Sequence, residues 1–268
     1  MAITLDPKQT PSFEELIKVK EDIFTHELEV FRTEVDSAIQ FFYAYLTINA
    51  TLADNKKAHD LVNKTPLFWR TNIGALQTAF FITLGRIFDQ KSQHNVDKLL
   101  GIAQEQSVIF SAKALEARKR DGSANAEQWI YDYMKGVYIP TAHDFRRLRG
   151  YVKKYRRVYE NGYRDIRKKI YAHKELSKLE DVQRLYAKTN IREMQKLFIF
   201  LNRFYQALWQ LFNNGRKPTL KPMKYSVASM RKAEIPKWRS RHVQQKMVDE
   251  TERFFEILSA VPNEWLKK

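Results

Sequence analysis

The stretch 188–215, KTNIREMQKLFIFLNRFYQALWQLFNNG, decides the fold class. Its apolar residues recur at helical spacing, and Asn214-Gly215 closes the run. The pattern predicts one strong amphipathic helix. Its aromatics, Phe198, Phe200, Phe204, Tyr205, Trp209 and Phe212, read as core side chains, as does Trp69 far upstream. Helical patterns extend from this segment in both directions. Glycine and proline number only 8 each in 268 residues, which favours long helices over many-turned β structure.

Residues 12–54 read as helical, with Ser12 as N-cap ahead of Glu14 and Glu15. Leu16, Val19, Ile23, Leu28, Phe31, Val35, Ile39 and Phe42 fall on roughly one face, with a break expected near residue 33. The most apolar run, AIQFFYAYLTINATLA at 38–53, is interrupted by Gln40, Thr47 and Asn49 and reads as a buried helix, not a membrane span. A second helix, 67–88, is apolar nearly throughout. Gly74 and Gly85 suggest a central position with close neighbours. Shorter helices are expected at 96–105, 109–119 and 125–135. The chain is helical again from Thr141, with a break at Asn161-Gly162. Residues 216–240 contain three prolines and read as extended. A last helix, about 241–258, sets Val243, Met247, Phe254 and Leu258 on one face. The expected architecture is all-α: a helical bundle over 1–215, then a basic linker and C-terminal helix over 216–268.

The net charge of +16 is gathered in two blocks. Residues 146–178 hold 13 Lys/Arg against 3 Asp/Glu, and 216–246 hold 10 against Glu234 alone, so the rest of the chain is slightly acidic. Such blocks suit a polyanion, most simply nucleic acid. Tyr151, Tyr155, Tyr159 and Tyr163 recur every four residues within the first block. They suit either a stacking strip for single-stranded RNA or a face packed on the bundle, and the strict four-residue step favours packing.

Several chemistries have no foothold. The chain has no cysteine, which excludes disulfides and cysteine-ligated zinc or iron–sulfur sites. It has no Gly-rich phosphate loop, no dinucleotide fingerprint and no helical His-x-x-x-His pair. The adjacent pairs His59-Asp60 and His143-Asp144 could combine into a metal site, but nothing in their spacing requires it. No metal and no cofactor are expected. The N-terminal sequence lacks a basic-then-apolar leader pattern, so a cytoplasmic protein without membrane contact is expected.

One histidine stands apart. In IRKKIYAHKE, 166–175, His173 follows Arg167 by six residues. On a helix, Tyr163, Ile166, Ile170 and His173 share a face, so His173 could simply end a core stripe. The surrounding Arg164, Arg167, Lys168 and Lys169 give it a second reading. A neutral imidazole can take a proton from an RNA 2′-hydroxyl, and a guanidinium can stabilise the phosphorane that forms. On a straight helix, six residues are about 9 Å apart along the axis and about 120° apart around it. Either the helix bends near Tyr171, or a second copy of the chain completes the site.

The order Arg, five residues, His, in the form RKKIYAH at 167–173, resembles the signature of the HEPN superfamily. The segment TAFFITLGRIFDQKSQHNVDKLL, 78–100, is similar to the L-x-R-x-x-D helix end of abortive-infection-type HEPN proteins, here Leu84, Arg86 and Asp89. The resemblance covers about 15–215. It implies a helical bundle and a dimer whose motifs face each other. It also implies a metal-independent endoribonuclease, cofactor-free, serving as a toxin or in phage defence. RNA would be the substrate, and an antitoxin or defence-system protein a possible partner. By position, Arg167 and His173 would be the catalytic pair. Lys153, Lys154, Arg156, Arg157, Arg164, Lys168 and Lys169 are the candidate nucleic-acid contacts. The alternative is a HEPN-like module that binds nucleic acid or a protein partner without cutting. Taken alone, Arg86 and Asp89, three apart, read as a local ion pair.

Overall fold

The computed structural model describes residues 12–173, 175, 178–221, 226–231 and 242–260. Its elements are α1 (Phe13–Asp54), α2 (Lys56–Lys64), α3 (Pro66–Phe88), α4 (Val96–Glu105), α5 (Ala112–Asp121), α6 (Ile130–Lys135), α7 (Ala142–Gly162), α8 (Arg164–Ile166), α9 (Leu179–Tyr186), α10 (Ile191–Asn214), α11 (Val227–Arg231) and α12 (Val243–Ala260). Short 3-10 turns at Ser107–Phe110 and Ala126–Gln128 flank α5, and a π turn, Arg167–Ala172, continues α8. Among the described residues there is no strand, and no helix is long and apolar enough to cross a membrane. The fold is the expected all-α bundle.

The helix starts follow side-chain chemistry. Ser12 and Glu15 cap α1 reciprocally, with Glu15 N–H donating to Ser12 Oγ at 3.2 Å and Ser12 N–H to Glu15 Oε2 at 2.7 Å. Asn55, Asn95 and Asn190 cap α2, α4 and α10 through their side-chain oxygens. Asp144, at the start of α7, accepts from Tyr138 and from both the backbone and hydroxyl of Thr141. At the end of α10 Gly215 adopts φ 54°, where a Cβ would also lie 2.7 Å from Leu115 and Val137.

The core lies between α1, α3 and α10. Phe24, Leu28, Phe31, Val35, Ile39 and Phe42 of α1 meet Phe80, Phe81, Leu84 and Phe88 of α3, and Leu197, Phe198, Leu201, Phe204 and Leu208 of α10. Full burial of such a side chain stabilises by about 1.5–3 kcal/mol, so this layer carries most of the fold.

Six expectations need correction. Helix α1 runs unbroken for 42 residues, through position 33. Its first turns do not follow the core stripe: Leu16, Val19 and Ile23 are exposed, whereas Glu21 is buried because it pairs with Arg118, whose guanidinium also reaches the Ile109 and Phe212 carbonyls. In α3 only the C-terminal half is central. Leu67 and Phe68 are exposed, and Gly74 has open space beside it. Residues 216–240 are not wholly extended: α11 lies within them, while 222–225 and 232–240 fall outside the described residues. In α12 Val243, Met247 and Leu258 pack as expected, but Phe254 is exposed, and the fully buried apolar residues are Val248 and Phe255, because the helix lies on α1 and α2. Phe255 stacks on Trp69 and joins Ile48, Ala58 and Val62 in a second small core. Trp209 is also more exposed than a core residue, facing outward from α10.

Candidate functional site

The two stretches singled out in the sequence meet at Arg167. Helix α7 ends at Gly162, and Tyr163 bends the chain into α8 with φ −123° and ψ −26°. The Tyr163 hydroxyl donates to the Asn190 carbonyl at 2.9 Å and fixes this joint to the start of α10. The chain then widens into the π turn, in which His173 N–H donates to the Lys168 carbonyl, five residues back, at 3.0 Å. Such turns are rare and recur at functional sites.

Arg167 lies across the end of α3. Its Nε and Cδ occupy the space where a Cβ on Gly85 would sit, at 2.5 and 2.9 Å. Its Nη1 lies 3.6 Å from Asp89 Oδ2. Asp89 Oδ1 meanwhile accepts from Lys91 N–H at 3.1 Å, which holds the carboxylate in place. The expected Arg86–Asp89 pair is therefore corrected. Arg86 instead turns to Glu34 of α1, with Nη2 2.8 Å and Nε 2.9 Å from Oε2, leaving Asp89 to Arg167. Beneath Arg167 the Tyr159 ring stacks on Phe88, centroids 5.3 Å apart. Its hydroxyl and Arg167 Nε are buried and have no hydrogen-bond partner among the described residues. Burial pushes the Tyr159 phenol up to about 12, with Arg167 pulling down and Asp89 pushing up. It stays neutral at ordinary pH.

His173 is exposed, whereas Tyr163 and Ile166 are fully buried and Ile170 is half-buried. The apolar stripe therefore stops short of the histidine, and a core role for its imidazole has no support. What anchors the turn is Tyr171. Its ring stacks on Phe81, centroids 5.2 Å apart, and its hydroxyl lies 2.5 Å from that of Tyr186 on α9. Burial raises both phenols. Tyr186→Phe is expected to cost about 1 kcal/mol or more, because it strands the Tyr171 hydroxyl; the double Phe variant should cost less than the single. Denaturant unfolding of the three variants checks this, and a double variant that costs as much as Tyr186→Phe or more would contradict it.

The remaining sequence-selected residues divide. Lys153, Lys154, Arg157, Arg164 and Lys168 are exposed. Lys169 lies 3.2 Å from Asp165. Arg156 is ion-paired with Asp97 inside the fold, and only 13% of its side chain is exposed. Of the tyrosine strip, Tyr155 stacks on Phe200 at 4.1 Å, and Tyr159 and Tyr163 are buried; Tyr151 alone is open. His59 and Asp60 are exposed, and Asp144 is held in the α7 cap, apart from any ligand role. Among the described residues no group of three or more metal-ligating side chains comes together. Sequence reasoning expected close neighbours at Gly85 and packing at Tyr159, but not that Arg167 is the neighbour, and it missed the parts played by Tyr171 and Tyr186. The one available signal was Gly85 itself, since glycine inside a helix costs about 1 kcal/mol and wants a reason.

The α1–α3–α10 core is a helical bundle of HEPN type. The AbiU2 family model, a HEPN family, matches residues 21–232, most of the chain, and the chain belongs to that family. Neither the search of curated proteins nor that of solved structures returned a match.

Proposed function

We propose that this protein is a metal-independent endoribonuclease of HEPN type, acting as a toxin or phage-defence effector. The observation that carries the reading is the convergence at Arg167: the LGRIFD helix end and the RKKIYAH turn form one structure, with an exposed imidazole at its tip. His173 takes the proton of an RNA 2′-hydroxyl, and the 2′-oxygen attacks the adjacent phosphorus. Arg167 stabilises the phosphorane. The 5′-oxygen then leaves with a proton from imidazolium, giving a 2′,3′-cyclic phosphate and a 5′-hydroxyl. The nucleophile belongs to the substrate, so the mechanism itself requires no metal. A two-fold dimer brings each chain's arginine towards the other's histidine. Lys153, Lys154, Arg157, Arg164, Lys168 and Lys169 track the backbone, while Arg156 supports the fold from within.

Purified protein should cut RNA in the presence of EDTA, leave 2′,3′-cyclic ends, and spare an RNA with 2′-deoxyribose at the cut site. Its solution mass should be twice the 31.9 kDa of the chain. Loss of cutting on chelation would overturn the mechanism. RNA bound but never cut would favour a non-catalytic binding module, and a monomeric mass would remove the shared site.

A further inference from the structure

A second basic site lies at the other end of α10. The chain reverses at Gly215, where Arg216 N–H donates to the Gln210 carbonyl at 3.2 Å, and the segment 216–221 returns beside the helix. Between them is a cleft of about 500 Å³, lined by Arg203, Gln206, Ala207 and Gln210 of α10 and by Arg216, Lys217, Thr219 and Lys221. The α10 residues are spaced three, one and three apart, one helix face. Four cations thus face one space with no carboxylate among the lining residues. Several arginines elsewhere are matched to acids: Arg86 to Glu34, Arg118 to Glu21, Arg156 to Asp97, Arg231 to Asp54 and Glu252. Among the described residues Arg216, Lys217 and Lys221 have no such ion pair; Lys217 instead lies over the Tyr138 ring.

The C-terminal half-charge of α10 does not account for four cations. A helix end carries roughly −0.5 charge. The last carbonyls of α10 are already taken, by Arg118 at Phe212 and by Tyr133 at Asn214. The lining also says what kind of anion fits. It holds no aromatic ring and one small apolar side chain, so it offers nothing to a base face or a lipid tail. Its size exceeds one phosphate group and suits a length of backbone. Its donors are guanidinium, ammonium, amide and hydroxyl groups, the set that meets phosphate oxygens without reading sequence.

We propose that this cleft is a second phosphate-binding site. It grips the backbone of a single-stranded RNA away from the Arg167–His173 site. The proposal rests on the RNA reading above. Asn190, which holds the Tyr163 joint, is about 20 Å from Arg203 along α10. At about 3.4 Å per stacked nucleotide, an RNA that fills both sites extends some six nucleotides or more beyond the cut.

The test uses full-length protein carrying His173→Ala, so that RNA stays intact, with and without Arg216→Gln and Lys221→Gln. Binding of a 4-nucleotide and a 20-nucleotide single-stranded RNA is followed by fluorescence anisotropy from about 0.05 to 0.3 M salt. With about 0.7 counterions released per charge, losing two contacts should lower the log–log salt slope by about 1.4. Affinity for the long RNA should then fall about 25-fold at 0.1 M salt. The short RNA should bind unchanged, and the distant exposed Lys57→Gln should alter neither. Unchanged binding of the long RNA would overturn the cleft and leave the nuclease reading standing. Competition for the cleft by AMP at concentrations far below those of the RNA would also overturn it, in favour of a small-nucleotide pocket. A wild type that cuts nothing but loses long-RNA affinity through these two substitutions would remove the nuclease and keep the cleft.

Discussion

His173→Ala is expected to lower RNA cleavage by about 10²–10⁴-fold, the usual contribution of a general acid–base group, and to relieve any growth arrest that expression causes. The fold should be untouched. The side chain is exposed, and the contact that anchors the residue is its backbone N–H to the Lys168 carbonyl, which alanine keeps. Replacing Arg167 separates charge from shape. Arg167→Ala should cost about 10²–10³-fold, as losing a charged contact to a transition state does. Arg167→Lys should recover only part, since an ammonium lacks the fork that meets two phosphate oxygens. Cleavage rates beside thermal midpoints decide the matter. Full activity in His173→Ala would discard the mechanism, and so would an alanine variant that unfolds while wild type cuts nothing.

Gly85→Ala should be nearly as damaging to activity, for a different reason. In a helix interior alanine is favoured over glycine by about 0.5–1 kcal/mol, so the variant should be no less stable than wild type. Its Cβ, however, would stand 2.5 Å from Arg167 Nε, and the guanidinium must swing off the end of α3 and away from Asp89. The expected result is a stable protein with a loss near that of Arg167→Ala, about 10²-fold. Gly74→Ala is the matching control: it has no neighbour within 4 Å of the added carbon, and should gain stability and keep activity. Equal activity in the two variants would show that the placement of Arg167 over Gly85 does not matter for chemistry.

The helices were legible wherever one face was buried and a cap residue marked the start. The α10 stripe, the Ser12 cap, the Asn161-Gly162 break and the Asn214-Gly215 end all lie where spacing put them. Errors came where burial is one-sided along a helix. Leu16, Val19, Leu67 and Phe68 look like core from their spacing alone, but the bundle does not reach those ends of α1 and α3. Periodicity says which face is apolar and not how far the neighbours extend. At the candidate site, residue types and the family resemblance of RKKIYAH pointed to Arg167 and His173, and tertiary partners were out of reach. That Arg86 turns to Glu34 while Asp89 meets Arg167 depends on α1 and the π turn both crossing the end of α3, with sequence separations of 52 and 78 residues. Arg156 looks like its exposed neighbours in sequence, and only the approach of α4 with Asp97 distinguishes it.

The hydrogen bond from His173 back to Lys168 makes this turn a matter of counting. It holds one residue more than an α-helical turn would use to join the same two points. Deleting a residue between Lys168 and His173 would let the backbone close to ordinary winding between the same two points, and the residues left inside the turn would be displaced around its axis by as much as about 100°. Tyr171 would then leave Phe81, and the turn would lose its anchor. Apart from Arg167, Tyr171 and His173, side chains in RKKIYAH can vary in kind, but their number is fixed by the wider turn that carries them.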